Sequence, residues 1–324
     1  MTVYQMPFTE LQSLKGLKQV EARLRELSRG SDPLTPQFSN TVTIGGKRLR
    51  PALVILCGSF YPAVHNELVD VATATELIHT ASLVHDDIID HAAYRRGRAT
   101  ISAAWGNQQA VLYGDFLFAR AFSLLTKHGF SGILGKMTHA ISLMCEGEIQ
   151  QSNLLYDCKI KEADYLAYIH KKTAYFLAAC CAAGAEACGL TPSQVKPFEN
   201  FGLQLGYAFQ LTDDLLDLTG SSENTGKPVL QDLREGYLTF PIIKLLRHPI
   251  YGIRTHNIID ERQFTGENVE FICRSLQESG IIEETYHKAR TLTARAKRNL
   301  DKLPLKPARA ILSRLADYVV RRSY

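Results

Sequence analysis

Residues 68–90 read LVDVATATELIHTASLVHDDIID, a run free of glycine and proline that ends on a cluster of aspartates. Its length and spacing predict one long helix over Leu68–Ile89. On a helix, residues i and i+4 share a face, so Asp86 stands beside Asp90. Residues 209–217, FQLTDDLLD, repeat the pattern at Asp213, Asp214 and Asp217, with Asp213 lying 127 residues after Asp86. That separation exceeds a solenoid period and reads as two facing helices, each presenting the same metal-binding pattern.

Helical spacing continues outward in both directions. Leu11, Leu14, Leu17, Val20, Leu24 and Leu27 recur every three or four residues, and Gly30-Ser31-Asp32-Pro33 ends that helix. Further helices are predicted from Pro51 to about Tyr61 and over about 107–127, 131–153, 162–188, 193–219 and 239–247. The tail adds 267–302, broken at Gly280, and 307–322. No series of alternating strands with hairpin turns is present. Ala178, Ala179, Ala182, Ala183 and Gly184 permit close approach of helices. No low-complexity linker divides the chain. The reading is therefore all-α, with one domain over residues 1–324, although that length would allow two domains of roughly 150 residues each.

Composition narrows the class. A hydrophobic share of 45% is enough for a sizeable core and excludes a disordered chain. The 37 Lys and Arg against 33 Asp and Glu give +4, too balanced for the basic footprint of a nucleic-acid binder. The extremes are local: acidic pairs at Asp86-Asp87 and Asp213-Asp214, basic pairs at Lys47-Arg48 and Arg95-Arg96. The seven cysteines form no CxxC pair and read as reduced, mostly buried thiols of a cytoplasmic protein. The N-terminus lacks the basic and apolar regions of a signal peptide. The longest apolar stretch, Ala174–Ala185, is well short of the roughly 20 residues a spanning helix needs. A soluble protein with no transmembrane segment is expected.

The aspartate motifs carry the chemistry. Two carboxylates one turn apart repel by roughly a few tenths of a kcal/mol on an isolated helix, and burial raises that cost unless cations compensate. Oxygen donors without His or Cys suit Mg²⁺, which shares its sites with substrate phosphates. The flanks (Leu83, Val84, Ile88 and Ile89; Leu211, Leu215, Leu216 and Leu218) place both motifs in the apolar interior. Gly45-Gly46-Lys47-Arg48-Leu49-Arg50-Pro51 sets a flexible turn and three cations where a helix begins, an arrangement suited to phosphate. Arg95-Arg96-Gly97 follows Asp90 at a spacing that lets guanidinium groups reach a diphosphate whose metals sit on Asp86 and Asp90. His79, two turns before Asp86, is read as a polar contact to a bound anion, and His85 as structural. Lys172-Thr173, Gln210 and Gly226-Lys227-Pro228 carry no signal singly.

Taken in order, GGKRLRP, ELIHTASLVHDDIID, RRG, GDFLFARAF, KT, FQLTDDLLD and GKPVLQDLREGYLTFP resemble the trans-isoprenyl diphosphate synthase (polyprenyl synthetase) family from about Gly45 to Pro241. Within it the chain is most similar to long-chain all-trans members, including the catalytic component of hexaprenyl and heptaprenyl diphosphate synthases. The resemblance implies a single large helical bundle around a central cavity. It implies repeated, Mg²⁺-dependent condensation of isopentenyl diphosphate with an allylic diphosphate such as farnesyl diphosphate. Asp86 and Asp90, with Asp87 nearby, would hold Mg²⁺ against the allylic diphosphate. Asp213, supported by Asp214 and Asp217, would hold a further ion, three in all with substrate bound. Arg95, Lys172, Thr173, Gln210 and Lys227 would contact the allylic diphosphate, and Lys47, Arg50, His79 and Arg96 isopentenyl diphosphate. The catalytic set is then Asp86, Asp87, Asp90, Arg95, Lys172, Asp213 and Lys227. A homodimer is implied, or a heterodimer with a small regulatory subunit.

Ala81 and Ser82, five and four residues before Asp86, stand where short-chain relatives carry bulky aromatics. Their small size predicts a product of C30 or above. The alternatives are a short-chain geranylgeranyl or farnesyl diphosphate synthase, disfavoured by these two residues, and a non-catalytic partner subunit, disfavoured by the retention of both acidic clusters. One departure is Tyr237, where many relatives carry a lysine that a neutral phenol does not replace. Arg234 is a candidate to compensate, while Arg321-Arg322 reads as a solvated tail.

Overall fold

The structure, a computed structural model, describes residues 11, 13–28, 46–61, 65–95, 97–219 and 230–321. Fifteen α-helices are described: α1 Lys15–Leu27, α2 Leu49–Gly58, α3 His65–Ile89, α4 Ile101–Trp105, α5 Asn107–Lys127, α6 Ser131–Ser152, α7 Glu162–Ile169, α8 Tyr175–Glu186, α9 Pro192–Thr219, α10 Gln231–Arg234, α11 Phe240–Leu246, α12 Gly252–Asp260, α13 Gly266–Glu278, α14 Ile281–Leu300 and α15 Pro307–Arg321. Strands β1 (Tyr94–Arg95) and β2 (Arg98–Ala99) form one small antiparallel hairpin. The all-helical expectation holds. No helix among the described residues is long and apolar enough to cross a membrane.

The described chain falls into two compact units, one holding residues 1–139, 179–199 and 304–312, the other 140–178, 200–303 and 313–324. Helices α6, α8, α9 and α15 contribute residues to both.

In the first unit α3 is the axis, packed by α1, α2 and α5. It is buried on every side from Leu68 to Ile78, as befits a helix whose neighbours cover its whole circumference. Its buried polar groups are satisfied locally or in pairs. Thr73, Thr75 and Thr80 donate to carbonyls of the preceding turn, at 2.7, 2.8 and 2.8 Å. Asp70 accepts from Arg23 Nε at 2.8 Å and bonds His128 Nε2 at 2.7 Å, tying α1 and the end of α5 to the axis. Burial pushes the Asp70 carboxyl up, but these partners outweigh it and hold it below the usual carboxylate range. The run of small residues in α8 serves close approach, as expected. A Cβ on Gly184 would lie 2.2 Å from the Val54 carbonyl oxygen of α2. Gly184→Ala must therefore push α8 away from α2 and is expected to lower unfolding stability by about 1–3 kcal/mol. Urea denaturation checks this, and an unchanged midpoint would contradict the close packing.

In the second unit α11 is central, packed by α7, α12, α13 and α14. Tyr165, Tyr168, Leu211, Leu230, Phe240, Ile242 and Ile243 belong to its core.

Three local features differ from expectation. The helix predicted over 162–188 is interrupted by a π-helical turn at His170–Ala174. Helix α12 falls where no helix is predicted, although Thr255, Ile258 and Ile259 bury one face of it. The cysteines are less buried than expected: Cys57, Cys180 and Cys181 are buried, Cys158, Cys188 and Cys273 partly so, and Cys145 is exposed. The breaker at Gly30–Pro33 lies outside the described residues.

Candidate active site

The first aspartate motif closes α3. The Asp90 amide still donates to the Asp86 carbonyl at 2.8 Å, so helical geometry persists and the two side chains emerge one turn apart on one face. Asp86 is half-buried and Asp90 exposed. Asp87, about 100° round the helix, points inward and is 5% exposed. Hairpin β1–β2, turning through Gly97 at φ 75°, brings Arg95 back to it, with Nε donating to Asp87 Oδ1 at 2.7 Å. Burial pushes the Asp87 carboxyl up, and Arg95 pulls it partly back. The flanks are less buried than the sequence implied: Val84 is buried, Leu83 and Ile88 partly, and Ile89 is 48% exposed.

Lys47 is exposed and Arg50 half-buried where α2 begins. No acidic residue stands in that first turn. Cations at a helix N-terminus oppose the helix dipole and favour an anion there. His79 is half-buried on α3. Ala81 is fully buried, and Ser82 returns its hydroxyl to the His79 carbonyl at 2.9 Å, which leaves it little polarity to offer a neighbour. His85 Nε2 lies 3.2 Å from the Val111 carbonyl, the structural role expected. Gly45, Arg96, Lys227 and Arg322 lie outside the described residues.

The second motif, on α9, repeats the division of labour. Asp213 and Asp217 are half-buried, whereas Asp214 is 2% exposed. Tyr165 OH and Gln210 Nε2 both donate to Asp214, the latter at 3.1 Å. Thr173 Oγ1 in turn donates to Gln210 Oε1 at 2.9 Å, which fixes the amide orientation. Burial, aided by the neighbouring Asp213, pushes the Asp214 carboxyl up to about 7 against the hydrogen bonds from Tyr165, Gln210 and the Phe240 backbone. Asp217 accepts from the backbone amides of Gln231 and Asp232 at 3.1 and 3.3 Å, capping α10.

The π turn carries Lys172 and Thr173, and such turns recur at functional sites. Gly147 lets α6 approach it, since a Cβ there would lie 2.9 Å from the Lys172 amide nitrogen. Lys172 Nζ pairs with Glu148 at 2.5 Å and donates to Gln151 at 2.8 Å. Arg234, the candidate to compensate for Tyr237, instead donates to the Phe264 carbonyl at 3.2 Å.

Sequence reasoning missed Tyr165, Glu148 and Gln151, as well as Arg48 with its partners Glu21 and Glu76. Each meets its partner across 21 to 49 residues of chain, which local spacing does not reveal.

Among the described residues no three His, Cys, Asp or Glu side chains gather to hold a metal ion. Each motif offers a carboxylate pair, and this oxygen-only donor set fits Mg²⁺, which takes one or two carboxylates and completes its shell from water and phosphate.

An all-helical chain with two such aspartate helices is of the isoprenyl synthase type. The model of the Polyprenyl synthetase family matches residues 32–276, and the chain belongs to that family. It is 36% identical to heptaprenyl diphosphate synthase component 2 of Geobacillus stearothermophilus over 292 residues, covering 90% of this chain and 91% of that protein. It is 36% identical to octaprenyl diphosphate synthase of Escherichia coli over 284 residues, or 87% of each. The structure of a decaprenyl diphosphate synthase from Rhodobacter capsulatus superposes with a TM-score of 0.89 at 34% identity, covering 97% of this chain and 98% of that one.

Proposed function

We propose that the chain is a long-chain all-trans polyprenyl diphosphate synthase that adds isopentenyl diphosphate repeatedly to an allylic diphosphate such as farnesyl diphosphate. The observation that carries this reading is the paired design of the aspartate helices, each with a buried, hydrogen-bonded middle aspartate between two more accessible ones. Asp86, Asp90, Asp213 and Asp217 would hold Mg²⁺, which supplies neutralisation of the leaving diphosphate when bound. Arg95, Lys172, Thr173, Gln210 and Lys227 orient the allylic diphosphate, and Lys47, Arg50, His79 and Arg96 hold isopentenyl diphosphate. The C1–O bond of the allylic substrate breaks, leaving an allylic cation and diphosphate. The double bond of isopentenyl diphosphate attacks C1, brought near by binding. Loss of one proton to the departing diphosphate regenerates an allylic product, which re-enters the cycle.

The small side chains of Ala81 and Ser82 would leave room for the growing tail, and one helical turn of about 5.4 Å admits roughly one isoprene unit. The enzyme works as one catalytic domain in the cytoplasm, in keeping with seven cysteines that form no disulfide. It forms a homodimer, for which α5 offers exposed Val111 and Leu112, at 44% and 55% exposure. A relative bearing the name component 2 favours a second arrangement, in which a further subunit is required.

Incubating the purified chain with Mg²⁺, farnesyl diphosphate and isopentenyl diphosphate, and separating the products by chromatography, tests this directly. Products of C30 or above are expected. Termination at C15 or C20 contradicts the long-chain reading, and activity only on adding a second polypeptide selects the two-subunit arrangement.

A further inference from the structure

Arg48 stands between Lys47 and Arg50, and the surrounding motif gives it no role. It is nevertheless buried, at 8% exposure, while Lys47 beside it is exposed. Its backbone is left-handed, with φ 47° and ψ 36°, at the N-cap of α2. That region disfavours any residue bearing a Cβ, so the conformation has to be held from outside. Two carboxylates from different helices hold it. Nε lies 2.5 Å from Glu21 Oε1 on α1, and the terminal Nη1 lies 2.6 Å from Glu76 Oε1 on α3. A planar guanidinium meets the two through separate nitrogens held in a rigid fork, a geometry that the single nitrogen of an ammonium does not reproduce. Glu76 is three residues before His79, so the bridge moors the turn on the face of α3 that carries His79. All of these residues belong to the first unit.

We infer that Arg48 is a positioning residue for the isopentenyl diphosphate subsite. The Glu21–Arg48–Glu76 bridge locks the left-handed turn from which Lys47 and Arg50 reach the diphosphate, and it ties α1 to that subsite through Glu21. The inference rests on the proposed role of Lys47 and Arg50. Steady-state kinetics with each substrate varied in turn tests it. Arg48→Lys keeps the charge but loses the two-nitrogen fork, and Glu21→Ala removes a partner whose side chain is 29% exposed, so the fold tolerates its loss. Both variants are expected to raise KM for isopentenyl diphosphate about tenfold, leaving KM for farnesyl diphosphate and kcat within about twofold. Should Arg48→Lys fail to fold, Glu21→Ala decides. A lowered Tm with an unchanged KM for isopentenyl diphosphate overturns the inference, as does an equal rise in both KM values. Lys47→Ala and Arg50→Ala separate the two levels. If they raise that KM and Arg48→Lys and Glu21→Ala do not, the bridge alone is refuted; if they leave it unchanged, the subsite reading falls and the inference with it.

Discussion

Asp86→Ala is expected to lower kcat by about 10³-fold while leaving the protein folded, because it removes charge compensation needed only as the diphosphate departs. Asp86 emerges half-buried near the end of α3, beside Asp90 on one face of the helix. Two like charges at that spacing are mutually repulsive, so removing one relieves roughly a few tenths of a kcal/mol and offsets the contact its side chain gives up. Thermal unfolding without added Mg²⁺ should therefore give a Tm close to that of the parent. Turnover measured across a Mg²⁺ titration should stay low even at saturation. The companion variant Asp87→Asn separates the positions by mechanism. Asp87 is buried and holds Arg95, so its amide replacement weakens a charge-assisted bond and shifts KM for the allylic substrate. Near-parental kcat in Asp86→Ala would remove the first motif from catalysis.

The contrast between Asp86 and Asp87 marks where sequence reading ends. Helices were legible because long apolar periodicities and their breakers act locally: α3, α5, α6 and α9 lie close to where spacing predicts them. So was the echo between the two motifs, a pattern of residue types along a helix. Which aspartate of each trio turns inward depends on what packs against the helix. Nothing in FQLTDDLLD discloses that Tyr165, 49 residues upstream, donates to Asp214. The π turn at His170–Ala174 was equally invisible: one extra residue shifts the helical phase by about 100°, but the run Ala174–Ala185 is apolar all round and shows no phase. Arg48 shows the same limit from the other side. A Gly-Gly-Lys-Arg run predicts a turn near a helix start, whereas the left-handed conformation at Arg48 rather than at a glycine depends on carboxylates 27 and 28 residues away.

Asp214→Asn should make the protein more stable and less active, and the gain should depend on pH. In the folded chain burial pushes this carboxyl up to about 7, against about 3.9 for an unperturbed aspartate. Between those values the native state holds a proton that the unfolded chain has released, so stability falls as pH rises. Below about pH 4 both states are protonated and nothing is lost; above about 7 the loss is constant. A shift near three units corresponds to about 4 kcal/mol, an order-of-magnitude figure for a group this buried. Asparagine cannot ionise, so the advantage of the variant should widen by a few kcal/mol from pH 4.5 to pH 8. Urea denaturation of both proteins, free of Mg²⁺ and substrate, reads the difference; a gap that stays flat would mean that Asp214 ionises as readily folded as unfolded. The same exchange disturbs the neighbours. Tyr165 keeps an acceptor in the asparagine carbonyl, but the new amide meets Gln210 Nε2, donor against donor. Gln210 must turn, and the hydroxyl of Thr173 then loses the acceptor it has in Gln210 Oε1. KM for the allylic diphosphate should rise as stability rises. A charge that costs folding energy is thereby retained because it orients the two side chains proposed to meet the substrate.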